Sequence, residues 1–70
     1  MAFIRVRGCF RAADGTLEQE RESIINLDTV TKICRDEALD GYELTFINDE
    51  RLCVKSLDAT KIFKSIKAFL

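Results

Sequence analysis

Polar and apolar residues alternate along the first segment of the chain. Across residues 2–12, Ile4, Val6, Phe10 and Ala12 fall on one side of an extended strand, and Phe3, Arg5, Arg7, Cys9 and Arg11 fall on the other. A two-residue period predicts a half-buried β-strand. Asp14-Gly15 follows, a pair favoured in two-residue hairpin turns because both central positions take positive φ. With that turn, Arg11 faces Glu18, Cys9 faces Glu20 and Arg7 faces Glu22. Opposite charges across a strand pair contribute about 0.2–1 kcal/mol each. A slip of one residue would swing the carboxylates onto the apolar side, so the charges favour this register. Gln19, Arg21 and Ser23 then share the side of Val6 and Phe10, and the hairpin tip is expected to project into water.

Ser23 to Leu27 brings apolar residues back, and Leu27 to Val30 reads as a short turn with Asp28 as its local cap. Thr31 to Arg35 is a third strand, and Asp36 to Gly41 is an acidic connection. Gly41 to Ile47 alternates again, with Tyr42, Leu44 and Phe46 on one side and Glu43, Thr45 and Ile47 on the other. Leu52 to Ser56 is the returning strand. Leu44 and Phe46 share a side with Leu52 and Val54 only if the intervening loop holds an odd number of residues, which predicts three. The period then changes to that of a helix. Asp58 is positioned as an N-cap, with Leu57 and Ile62 as a hydrophobic staple. Over Ala59–Leu70, Ile62, Ile66 and Phe69 form a stripe flanked by Phe63 and Leu70, while Lys61, Lys64 and Lys67 occupy the opposite face. The pattern predicts a single α+β domain, residues 1–70: a small antiparallel sheet of about five strands packed by one C-terminal amphipathic helix.

Composition narrows the chemistry. The chain has 70 residues, 47% of them hydrophobic, with a formal net charge of −1. Apolar burial and chain ordering nearly cancel at this length, so good packing or a homo-oligomer is the natural supplement. The three cysteines, at 9, 34 and 53, form no close pair, which suits reduced thiols acting as small strand hydrophobes in a cytoplasmic protein. Charge begins by residue 5, so no secretory leader is expected, and no apolar run is long enough for a membrane span. The absence of histidine removes the commonest general base and metal ligand. No glycine-rich phosphate loop is present. The expectation is a protein that is not an enzyme and needs no cofactor or metal.

Three surfaces are candidates for binding. The first is the outer side of the N-terminal hairpin, with Phe3, Arg5, Arg7 and Arg11 beside Glu20 and Glu22. Its ordinary reading is a salt-bridge ladder that keeps the sheet soluble. The functional one is a protein contact, because a water-facing phenylalanine among arginines matches the residue types of interface hot spots. The second is the basic face Lys61, Lys64 and Lys67, which with the arginines would make an alternative nucleic-acid module. The acidic balance, the absence of tryptophan and the paired arginines argue against it. The third is a free sheet edge, open to a copy of the chain or to a partner strand. A small-ligand sensor at an oligomer interface is a further possibility that no motif supports.

Residues 24–69 resemble the small flagellar proteins of the FlbD type. The residues that carry the likeness are Ile25-Asn26-Leu27, then Val30 and Ile33, Tyr42-x-Leu44-x-Phe46-x-Asn48-Asp49, Leu52-x-Val54-x-Ser56, and Ile62 with Ile66. Asp49 stands where that family has glycine, and the first 23 residues make a longer, more charged hairpin. The resemblance implies a small accessory protein that acts through other proteins without catalysis. The expected function is a non-catalytic protein-binding or assembly module of bacterial or phage type.

Overall fold

The alternating N-terminal segment forms a strand that changes partners along its length. In the computed structural model, which describes residues 3–67, this strand is β1 (Phe3–Phe10). It is followed by β2 (Arg21–Asn26), a 3-10 turn (Leu27–Thr29), β3 (Val30–Asp36), β4 (Gly41–Phe46), β5 (Arg51–Lys55) and the helix α1 (Ser56–Lys67). The five strands form one antiparallel sheet in the order β2-β1-β5-β4-β3. The architecture is the small α+β fold that the periodicities predict.

β1 pairs with β2 from Phe3 to Gly8 and with β5 from Gly8 to Phe10. Gly8 is the crossing point, paired on both sides. A Cβ there would stand 2.5 Å from the Cys53 carbonyl oxygen, so only glycine allows the two backbones to approach this closely. The sheet cannot be flat. Five flat strands would hold their outer edges roughly 19 Å apart. The chain passes from Asn26 at one edge to Val30 at the other in four steps, which span at most about 14 Å even when extended. The 3-10 turn therefore straps the two edges toward each other. Its cap is Asn26, whose Oδ1 accepts from the Asp28 amide at 3.0 Å; the expectation of Asp28 as the cap is corrected. The cap position precedes the turn, and an Asn side chain there reaches the amide two residues on.

The concave side holds the core. Val6, Leu44, Leu52 and Ile62 are the largest fully buried side chains, and each contributes roughly 1.5–3 kcal/mol through burial. Ile25, Phe46, Val54 and Ala59 join them, with Ile4, Phe10, Ile33, Tyr42 and Phe63 packed at the rim. The Tyr42 and Phe63 rings meet edge to face at 4.9 Å and fix the helix over β4.

The helix begins three residues before the expected start, so Asp58 lies inside its first turn and is not the N-cap. Asp58 contacts Lys61 at 3.9 Å, and Leu57 is 85% exposed, so no staple forms. The start is set by tertiary contacts: the Ser56 hydroxyl donates to the Asp40 carbonyl at 2.9 Å, and Arg35 reaches both Ser56 and Asp40. The expected positions of Phe69 and Leu70 lie outside the described residues, as do the side chains of Ile66 and Lys67.

Candidate docking face

The convex side of the first hairpin carries the candidate face. β1 supplies Phe3, Arg5 and Arg7, and β2 supplies Glu22 and Ile24. Register places Phe3 opposite Asn26, Arg5 opposite Ile24 and Arg7 opposite Glu22. The Arg7–Glu22 pairing is the expected one, but the ion pairs run diagonally. Arg5 Nε lies 3.6 Å from Glu22, and Arg7 Nε donates to Glu20 at 3.0 Å. Lys55 of β5 adds a second cation 3.8 Å from Glu20. The Arg7 hydrogen bond, with help from Lys55, holds the Glu20 carboxyl below its usual range.

Beyond Gly8 the expected ladder fails. The hairpin loop has three residues, Ala13-Asp14-Gly15, closed by hydrogen bonds from the Ala12 amide to the Thr16 carbonyl (2.8 Å) and from the Gly15 amide to the Ala12 carbonyl (2.9 Å). Only Gly15 has positive φ there, at 91°. The longer loop sets Arg11 opposite Leu17 rather than Glu18. One extra residue in the segment 18–20 then restores the expected register from Arg21 onward. Cys9 lies opposite Cys53 of β5 rather than Glu20, because the β1–β2 pairing ends at Gly8 and Arg21.

Arg11 consequently leaves the hairpin ladder. Its Nε donates to Glu43 at 2.8 Å, its Nη1 to the Gly15 carbonyl at 2.7 Å, and its Nη2 approaches Cys53 Sγ at 3.6 Å. Cys53 in turn donates to Glu43 at 3.4 Å. The Arg11 hydrogen bond pulls the Glu43 carboxyl down from its ordinary value, whereas burial, then Glu43, pushes the Cys53 thiol up. Cys9, Cys53, Glu43 and Cys34 form one cross-strand row on this convex side. Cys53 is 5% exposed beneath the ion pair, Cys9 is half-buried and Cys34 is exposed. The cysteines therefore divide: only Cys53 is a fully buried strand hydrophobe.

The convex side thus has a closed half and an open half. Arg11, Glu43 and Leu17 cover or flank Cys53 in one. In the other, Phe3 and Ile24 lie diagonally across β1 and β2, 59% and 65% exposed. Ile24 is the residue that sequence reasoning missed. Its pairing with Arg5 follows from the correct register, but its place beside Ile25 made it read as core. Along the free edge of β2 a shallow groove of about 220 Å³ runs past Ile24, Ile25 and Asn26 toward Ile47 and Asn48. On α1, Lys61 and Lys64 are exposed, and Lys61 is engaged by Asp58.

Among the described residues no three acidic, cysteine or histidine side chains are placed to hold a metal ion, and no helix is long and apolar enough to cross a membrane. No family model matches the chain, and no curated protein or solved structure matches it.

Proposed function

We propose that this protein is a non-catalytic protein-binding or assembly module that works by occupying a partner's surface, with the outer side of the first hairpin as its contact face. The observation that carries the reading is the exposure of Phe3 and Ile24, diagonal neighbours across β1 and β2, within a frame of paired charges. An apolar centre with a polar, internally satisfied rim is the anatomy of a protein interface. The rim arginines give up little charge to phosphate because Arg5, Arg7 and Arg11 already hold Glu22, Glu20 and Glu43, which weighs against the nucleic-acid alternative. Phe3, Arg5, Arg7, Glu20 and Glu22 remain in the proposed face. Arg11 serves instead to close the other half of the sheet.

The test is affinity capture of host proteins on the full chain and on the Phe3→Ala/Arg7→Glu double variant, with quantification by mass spectrometry. The double change is expected to release the specifically captured proteins while leaving the far-ultraviolet circular dichroism unchanged. Full retention of every specific partner would remove this face from consideration.

A further inference from the structure

We propose that two copies of this chain pair through the free edge of β2, antiparallel, about a two-fold axis at Ile24. The sheet has two free edges, β2 and β3. β3 carries a register irregularity between Val30 and Lys32, and Lys32 and Arg35 are exposed along it. Irregular pairing and charge on an edge strand discourage addition of another strand. β2 has no bulge, its exposed charges Arg21 and Glu22 are confined to its first two residues, and it holds one continuous register with β1 over its six residues. The groove beside Ile24, Ile25 and Asn26 separates this edge from Ile47 and Asn48 of the β4–β5 loop.

The side chains choose the register. An axis perpendicular to the sheet keeps convex residues opposite convex residues, so the centre must fall on a residue rather than between two. Centred on Glu22, the pairing would set two carboxylates against each other. Centred on Ile24, it sets Glu22 against the neutral Asn26 of the second copy and brings the two Ile24 side chains together. Phe3 is the diagonal neighbour of Ile24 across β1 and β2. The result is a continuous strip of four apolar side chains, Phe3-Ile24-Ile24-Phe3, across a ten-stranded sheet. This pairing uses the exposed Ile24 that also belongs to the proposed contact face, and it rests on that reading only in treating Ile24 as a contact residue.

Sedimentation velocity on the full chain across a micromolar-to-millimolar dilution series tests it. Wild type is expected to move from one to two copies as concentration rises. The Ile24→Glu variant is expected to remain a single copy with unchanged circular dichroism, and the Leu57→Glu variant, also exposed but on α1 and outside the groove, is expected to dimerise like wild type. In a Cys9→Ser/Cys34→Ser background, an Ile24→Cys change is expected to give a covalent dimer with oxidised glutathione, two thiols yielding one disulfide and two reduced glutathiones. A wild-type mass of one copy throughout, an Ile24→Glu dimer, or Ile24→Cys cross-linking no faster than Leu57→Cys would each overturn the pairing. A single-copy wild type that still releases its partners on Phe3→Ala/Arg7→Glu would overturn the pairing alone. A dimer whose double variant keeps every partner would overturn the contact face alone.

Discussion

The two hairpins close with the same loop and meet opposite environments. In both, a three-residue loop is held by two backbone hydrogen bonds. In β4–β5 these run from the Phe46 amide to the Glu50 carbonyl and from the Asp49 amide to the Phe46 carbonyl, both at 2.9 Å. In both, an Asx side chain accepts from the amide two residues on: Asp14 from Thr16 at 3.0 Å, Asn48 from Glu50 at 3.1 Å. They differ at the residue with positive φ, which is Gly15 at 91° in the first and Asp49 at 69° in the second. The strands differ more. The second hairpin buries Leu44, Phe46, Leu52 and Val54, whereas the first leaves its tip and Ile24 in water. Local turn chemistry therefore makes the loop, and burial decides how much the hairpin contributes to stability.

Truncating an equivalent apolar side chain in each hairpin sharpens this contrast most. Leu52→Ala is expected to lower unfolding free energy by about 2–5 kcal/mol, the range for fully buried leucines. Ile24→Ala, at low protein concentration where single copies prevail, is expected to change it by less than about 0.5 kcal/mol. Urea titrations followed by circular dichroism measure both, and similar losses at the two sites would break the comparison.

The loops themselves supply the next test. A Cβ at Gly15 meets nothing within 4 Å, so Gly15→Ala isolates backbone strain and is expected to lose about 1 kcal/mol. Asp49→Gly relieves the same conformation in the second loop and is expected to gain about half a kcal/mol, since aspartate tolerates positive φ better than most residues. Opposite signs in a paired denaturation series are the expected outcome; a loss at both positions would show that Asp49 contributes something beyond its backbone angle.

A further, pH-dependent effect concerns the ion pair that ties the first hairpin to β4. The Arg11 hydrogen bond holds the folded Glu43 carboxyl below the ordinary glutamate value. A depressed folded pKa adds stability that is complete above the unfolded value and lost as pH falls through the folded one. Glu43→Gln is therefore expected to lose up to about 1 kcal/mol at neutral pH, with the gap to wild type closing as the solution is acidified below 4.5. A gap that persists unchanged into acid would assign the effect to packing rather than charge.

The strand faces, the β4–β5 loop length and the sheet-plus-helix class were all legible in residue order, because period and parity are local. The first hairpin was legible by a different route. Its register over Phe3–Gly8 agrees with expectation although the turn does not, because a longer loop and an extra residue at 18–20 cancel. Asp-Gly fits either a two-residue turn or the last two positions of a three-residue loop, and nothing adjacent decides between them. What escaped depends on residues distant in sequence. Arg11 finds Glu43 only once β5 and β4 lie side by side beyond β1, and the helix begins at Ser56 because of Asp40 and Arg35. In the candidate face, Phe3, Arg5, Arg7, Glu20 and Glu22 were readable from parity. Ile24 was readable too once the register was taken at its word.

The seam between β1 and β5 joins segments from opposite ends of the sequence: 42 positions separate Arg11 from Cys53 across it. During synthesis the first hairpin must wait with Val6 uncovered until β5 has been made, since β5 supplies the central pairing and leads into the helix that covers it. Contacts of such long separation slow the search for the native topology. The nascent hairpin is thus the stretch of this chain that a ribosome-associated chaperone would meet in unfinished form.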